Sequence, residues 1–297
     1  MRKVKILTDS CSDLSPDLLE KYDIDYARMN TVYEGKTTPA DLSWTAEEAH
    51  ALYGIMRNGG RVTTTQVPAE EFVRIFTKYI EAGYDIVYIG CSLKQSGSVN
   101  TGTVVARKLM EEHPEAAVFC IDSMNACMGE GLLAIRAAEL VSEGLTAAEI
   151  AEYITKNRKT VNEYVTVHSL DALKRAGRVK AASAFLGNLM GVKPIIISDA
   201  NGDQVSFKKA KGRLNSFREI TALMKASIRE PEKQTLYLRH ADCGEEEVRT
   251  LKDMLMTEIP VKDVHVGLIG PIIGASIGPD AVAIFAFGEE VTYTPEA

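Results

Sequence analysis

Val4-Lys5-Ile6-Leu7-Thr8-Asp9-Ser10-Cys11-Ser12-Asp13 opens as a short apolar run and then breaks into hydroxyls and carboxylates. Val4–Leu7 reads as a strand. Ser15-Pro16 then supplies an N-cap followed by proline at the first helical position, where a missing N–H costs nothing. Working outward, the same strand-then-helix order recurs. Asp85–Gly90 and Ala117–Ile121 are apolar runs bounded by loops, and a helical pattern follows each. Ahead of them Pro68 starts a helix whose Phe72, Ile75, Phe76, Tyr79 and Ile80 share one face, with Gly83 at its end. Thr45-Ala46-Glu47-Glu48 and Thr146-Ala147-Ala148-Glu149 are capping boxes. The first opens a helix that stops at Asn58-Gly59-Gly60, and the second a helix running toward Lys159.

Strands alternating with helices predict a parallel sheet covered on both faces, a Rossmann-like domain over residues 1–162. In such sheets ligands gather at the loops leaving the carboxyl ends of strands, here after Leu7, Gly90 and Ile121. The remainder, 163–297, reads as an α+β domain with a largely antiparallel sheet. Val192–Ser198 and Gln204–Ala210 are joined through the hairpin signal Asn201-Gly202. Leu214–Ile228 and Glu245–Thr257 are helical, with further strands at Thr235–Arg239, Val264–Leu268 and Val282–Phe287.

Composition narrows the function classes. A chain of 297 residues that is 45% hydrophobic and 25% charged can bury a real core. Its net charge of −7 argues against nucleic acid and against anionic membranes. Five cysteines, Cys11, Cys91, Cys120, Cys127 and Cys243, show no Cys-x-x-Cys pair, so neither a disulfide framework nor a zinc site is suggested. Met1-Arg2-Lys3 leads directly into the first strand and no apolar run is long enough to cross a bilayer. A cytoplasmic protein without integral membrane association is the expectation.

Several segments hold polar chemistry. Thr8-Asp9-Ser10 could bind a polar group or satisfy backbone donors. Thr63-Thr64-Thr65-Gln66 precedes a helix, and Ser92 to Ser98 lies between a strand and a helix; either can offer hydroxyls and N–H groups to an anion, or merely cap. Neither carries a phosphate-loop or dinucleotide pattern. Gly270-Pro271-Ile272-Ile273-Gly274-Ala275-Ser276-Ile277-Gly278-Pro279 makes a poor helix and a poor strand. Its glycines would let the backbone approach a ligand or another backbone in a tight crossing between domains. Ala181–Met190, nearly uncharged and including Phe185 and Leu189, suits either core or one wall of a hydrocarbon tunnel. His50, His113, His168, His240 and His265 have no metal-ligand spacing, and no nucleophile elbow is present.

Taken in order, these segments resemble the DegV family of fatty-acid-binding proteins across nearly the whole chain. The matching pieces are Thr8-Asp9-Ser10, Asp41-Leu42-Ser43, Thr64-Thr65-Gln66, Ser96-Gly97-Ser98, and Asp122-Ser123 with Gly129 and Gly131. Leu173 through Gly177-Arg178, Lys193-Pro194-Ile195 and Ile269 through Ala275 continue the match. The resemblance implies a non-catalytic, two-domain carrier whose ligand is a long-chain fatty acid, with no cofactor and no metal. It implies that the carboxylate meets the hydroxyls of Thr64 and Ser96 beside Gly97, while the tail lies in a slot between the domains. Gly274, Ala275, Ser276, Phe185 and Leu189 are the further ligand-binding candidates. In bacterial members the bound acid can be presented to a separate fatty acid kinase, and Arg178 matches the family's basic residue near the head group or partner surface. This chain departs from the pattern at Ser276, where histidine is common, and in Thr65-Gln66-Val67-Pro68 and Gln95-Ser96-Gly97-Ser98.

Magnitudes favour a lipid. Burying a methylene contributes roughly 0.8 kcal/mol, so a tail of about 16 carbons gains on the order of 12 kcal/mol before association costs. A neutral hydroxyl hydrogen bond nets about 1 kcal/mol. The tail would supply affinity and the hydroxyls orientation. The competing reading is an enzyme acting on a small phosphorylated or carboxylated metabolite at the Asp9, Thr64 and Ser96 loops.

Overall fold

Strand β1 (Lys3–Asp9) lies between two parallel neighbours and sets the layout of the N-terminal half. The computed structural model describes residues 2–168, 171–180 and 191–295. The chain divides into two units, Met1–Ser43 with Thr64–Arg158, and Trp44–Thr63 with Lys159–Ala297.

In the first unit, β1 leads to α1 (Pro16–Lys21), β2 (Asp25–Ala27) and the ribbon of β3 (Asn30–Tyr33) and β4 (Lys36–Pro39). After α2 (Ala46–Arg57), which belongs to the second unit, come β5 (Thr63–Thr65), α3 (Ala69–Glu81), β6 (Tyr84–Gly90) and α4 (Ser98–Glu112). Strand β7 (Val118–Asp122) and helices α5 (Met128–Ser142) and α6 (Ala147–Asn157) complete it. The four-stranded sheet runs β2-β1-β6-β7 and all its pairings are parallel. Helix α3 buries Phe72, Ile75, Phe76 and Ile80 against it, the face that the spacing predicts. Both capping boxes form, at Thr45 with Glu48 and at Thr146 with Glu149. Ser15 holds the N-cap position of α1, but its side chain makes no capping bond.

Strands β4-β3-β5 make a separate three-stranded sheet that the sequence reading did not contain. Its β3–β4 hairpin turns through Glu34 and Gly35, with φ of 49° and 77°. A tight turn of this hand needs positive φ at both positions, which Asn-Gly signals far more plainly than Glu-Gly.

The second unit is built on a seven-stranded sheet. It comprises β8 (Val161–Thr166), α7 (Asp171–Ala176), β9 (Val179–Lys180), β10 (Val192–Ser198), β11 (Gln204–Lys211) and α8 (Arg213–Ser227). There follow β12 (Thr235–His240), α9 (Glu245–Glu258), β13 (Asp263–Leu268), α10 (Pro271–Ile277) and β14 (Val282–Phe287). The order is β13-β12-β14-β8-β10-β11-β9, with β13 on β12 and β9 on β11 parallel and the other pairings antiparallel. The predicted hairpin forms, and Gly202 turns it with φ of 80°. Helices α8 and α9 cover the sheet over a core that includes Ile195, Phe217, Ile220, Leu236, Leu251, Leu255 and Ile284.

Two expectations need correction. A single boundary at residue 162 would cut β8, which pairs along its length with β14 and stands wholly in the second unit; the division falls between Arg158 and Lys159. Residues 44–63 also leave the first unit. Tyr53 on α2 is fully buried and donates its hydroxyl to Ile269 O at 2.7 Å, and Arg57 pairs with Asp242 and Asp280. The second correction is that Gly270–Pro279 does contain a helix. Pro271 occupies its first turn, and Gly278 ends it with φ of 83°. A Cβ at Gly274 would meet the Tyr53 hydroxyl at 2.3 Å, so the close approach is to an aromatic ring of the same unit.

Candidate functional site

Two loops at helix starts come together in the first unit. One runs from β5 into α3 and carries Thr64 and Gln66; the other runs from β6 into α4 and carries Ser96, Gly97 and Ser98. Val67 N donates to Ser98 Oγ at 3.1 Å, and Gln66 Nε2 donates to Thr101 Oγ1 at 2.7 Å. A Cβ on Gly97 would lie 2.1 Å from Gln66 Oε1, so glycine there leaves the Gln66 amide room to reach Thr101. Ser96 Oγ sits 2.9 Å from Ser98 Oγ and accepts Ser98 N at 3.2 Å. Thr64, Ser96 and Gly97 are all half-buried.

The Val67–Ser98 and Gln66–Thr101 bonds join the loops that carry Thr64 and Ser96. Helix α4 has no acidic residue in its first turn, whereas α3 has Glu70 and Glu71. The dipole of α4 therefore presents the more favourable field to a carboxylate. Ser98 and Gln66 stand in the matching pieces Ser96-Gly97-Ser98 and Thr64-Thr65-Gln66, but sequence reading gave neither a role of its own. Ser98 is fully buried, and its place in the Ser96-Gly97-Ser98 piece was the hint of its role.

Asp9 behaves differently. Its side chain is fully buried; Oδ2 accepts the Tyr88 hydroxyl at 2.7 Å and Cys91 N at 3.3 Å, and Oδ1 accepts Cys11 N at 2.9 Å. Burial raises its pKa against the pull of these donors. Glu130, in the first turn of α5, accepts Thr8 Oγ1 at 2.7 Å, and burial together with the Asp9 charge pushes it well above the usual carboxylate range. Ser10 Oγ accepts Met29 N at 3.0 Å. The Thr8-Asp9-Ser10 motif is spent on interior donors and acceptors.

The remaining candidates lie in the second unit or outside the described residues. Gly274 and Ala275 are buried in α10 and Ser276 on that helix is half-buried. Helix α7 packs on α10, where Gly278 approaches Ala172. Arg178, just past Gly177, is exposed and donates to Ala176 O at 2.7 Å. Phe185, Leu189 and the whole Ala181–Met190 segment lie outside the described residues. A cavity of about 180 Å³ in this unit is lined by Glu163, Tyr164, Ser198, Phe207 and Tyr293 among others. That is below the roughly 300–1,000 Å³ of ordinary ligand pockets and too small for a long acyl chain. Among the described residues no helix is long and apolar enough to cross a membrane.

Comparison with known proteins places these features. The family described as "Uncharacterised protein, DegV family" matches residues 3–289. A DegV domain-containing protein of Clostridium perfringens is 33% identical over 298 residues, spanning 97% of this chain and 99% of the relative. A DegV lipid-binding protein from Thermotoga maritima has a crystal structure that aligns with a TM-score of 0.84 at 27% identity, covering 98% of this chain and 100% of that one. A DegV family protein from Thermus thermophilus, described for its fatty acid binding, aligns with a TM-score of 0.86 at 25% identity over 97% of this chain and 100% of its own.

Proposed function

This chain belongs to the DegV family, and from that membership we propose that it is a non-catalytic carrier of one long-chain fatty acid. The observation that supports the reading most directly is the pair of joined loops at the starts of α3 and α4. Thr64 and Ser96 offer half-buried hydroxyls beside the N-terminus of α4, whose first turn holds no acidic residue, a setting suited to one carboxylate. The two structural neighbours described for lipid and fatty acid binding support the ligand class. The rival reading, an enzyme acting at the Asp9, Thr64 and Ser96 loops, loses support because the Asp9 carboxylate is buried and already holds three donors.

In this reading Gly274, Ala275 and Ser276 on α10 belong to the ligand's surroundings. Arg178 is the exposed group offered to a kinase that phosphorylates the bound acid. An arginine suits brief contact with a phosphate or an acidic partner surface.

Native mass spectrometry and organic extraction of the purified chain should recover about one acyl acid per chain. Replacing Thr64→Val together with Ser96→Ala should weaken binding of the free acid by roughly 1–3 kcal/mol, because an ionised carboxylate that loses donors is poorly solvated. The methyl ester, which keeps the tail, should lose much less. Equal losses for acid and ester would separate these hydroxyls from the carboxylate. A chain purified without any acyl acid, and unable to take one up, would overturn the carrier reading.

A further inference from the structure

The carboxyl ends of β1 and β6 adjoin where the parallel sheet changes direction. From β1 the chain passes to β2 on one side, and from β6 to β7 on the other. Crevices at such switch points are where open α/β sheets receive ligands. Cys11 follows β1, Cys91 follows β6 immediately, and Glu130 enters from the first turn of α5. A Cβ on Gly131 would lie 2.9 Å from Ser12 O, so glycine there lets α5 press against the Cys11 loop.

The three side chains converge. One ligand atom from each, two Sγ and a carboxylate oxygen, lies within 4.8 Å of the others. Exposure is 1% for Cys11, 3% for Cys91 and 0% for Glu130. Both cysteines are free thiols. Glu130 Oε1 accepts Thr8 Oγ1 and Asp9 N, while Oε2 is buried and accepts no donor; the Asp9 carboxyl is the hydrogen-bonding neighbour of the Glu130 carboxyl. Two carboxyls and two thiols buried side by side are costly to ionise, and natural interiors seldom gather them without a use.

We propose that Cys11, Cys91 and Glu130 form a buried site for a thiophilic divalent cation, with Zn²⁺ as the ion of choice. Two thiolates and a carboxylate are a donor set that suits zinc, and the lone pairs of Oε2 are available to it. In their ligating forms the three groups carry three negative charges, with Asp9 close by, so a dication balances the site better than a monovalent ion. Zinc with S ligands at about 2.3 Å in tetrahedral geometry sets the two sulfurs roughly 3.8 Å apart, so the side chains close in by less than about 1 Å. Without the ion the groups hold their protons. The contact with Cys91 and burial raise Cys11 well above its ordinary range; the Cys11 contact pulls Cys91 down, but burial with the Glu130, Asp9 and Asp122 charges raises it to about 11; and burial with the Asp9 charge raises Glu130. Binding therefore breaks two S–H bonds and one O–H bond and releases three protons, leaving a complex of net charge one minus. Three protein ligands leave one position of the tetrahedron open.

The test uses the reduced full-length chain stripped with a chelator. Co²⁺ should bind at one per chain with a thiolate-to-metal charge-transfer band in the near ultraviolet, and one equivalent of Zn²⁺ should displace it. Cys11→Ser with Cys91→Ser should abolish the band, Glu130→Gln should weaken Zn²⁺ binding at least tenfold, and Cys243→Ser should leave both unchanged. X-ray absorption of the wild-type chain with Zn²⁺ should show two sulfurs near 2.3 Å and oxygen near 2.0–2.2 Å, a result that needs no variant to fold. No binding of either ion, a metal shell without sulfur, or a charge-transfer band that survives the double substitution would each overturn the site.

Discussion

Glu163 allows a sharp test of how burial in the second unit controls stability. It sits in β8 at 4% exposure, and its Oε1 accepts Ser198 Oγ at 2.9 Å and Gln204 Nε2 at 2.5 Å. Burial outweighs these donors and raises its pKa from 4.5 to about 7. The folded chain therefore keeps a proton that the unfolded chain gives up above pH 4.5. Stability from this residue is fully present below that value and falls as pH rises through about 7, where it levels off. The rise corresponds to roughly 3 kcal/mol, of which about 2.5 is lost between pH 5 and pH 8. Asp25, Asp41 and Glu71, all held below their ordinary values, act in the opposite sense but beneath this window.

Glu163→Gln removes the ionisation and keeps the shape. Urea unfolding of both chains at pH 5 and pH 8 isolates the charge, since any hydrogen bond lost to the amide is lost at both values. Trp44, the chain's only tryptophan, belongs to the second unit and packs edge-on against Tyr53, so its fluorescence follows the relevant transition. The variant should gain about 2–3 kcal/mol relative to wild type on going from pH 5 to pH 8. A relative stability equal at the two pH values to within about 0.5 kcal/mol would mean that Glu163 is ionised in the folded chain and the reasoning is wrong.

Other outcomes follow from single contacts. Gly274→Ala forces a methyl into the buried Tyr53 ring and should cost about 1–3 kcal/mol in thermal or urea unfolding; an unchanged midpoint would show that the two helices move apart freely. Ser98→Ala strips the acceptor from Val67 N inside the protein and should cost about 1–3 kcal/mol, with faster hydrogen exchange at Val67; exchange at the wild-type rate would show that the loops are held by other means. Ser276→His should give fatty-acid affinity a step near pH 6.5, tighter below it, that the methyl ester does not share. A flat profile would place Ser276 away from the carboxylate.

Much of the fold was legible because local chemistry and tertiary structure agree. Thr45 with Glu48, Thr146 with Glu149, and Asn201-Gly202 each specify an element within a few residues, and each forms. The failures are places where a distant partner decides. Gly270–Pro279 is helical because Pro271 starts it, Gly278 stops it and Tyr53, more than 200 residues earlier in the chain, fills the space above Gly274. The hydroxyl loops were visible as loops that follow strands and precede helices. Their joining through Gln66, Val67 and Ser98 was not, since no local pattern announces a bond between Val67 and Ser98. Glu130 was invisible for the same reason: it meets Thr8 across 122 residues.

The same accounting explains why the most conspicuous motif is not the best candidate for ligand contact. Thr8, Asp9 and Ser10 lead the chain's first loop, and their side chains could serve many reactions. Yet Thr8 Oγ1 donates to Glu130, both oxygens of Asp9 accept donors, and Ser10 Oγ accepts Met29 N, all at zero exposure. A ligand reaching them would have to break bonds that each net about 1 kcal/mol and would leave buried partners bare at about 1–3 kcal/mol apiece. Thr64 and Ser96 are placed differently: Ser96 Oγ meets only its near neighbour Ser98, and both residues keep part of their surface open. They stand half-exposed at the start of a helix or before it, and the backbone between them is fixed by Ser98 and Gln66 rather than by their own hydroxyls alone. The interior motif holds the loops in place, and the loops are left with hydroxyls to offer.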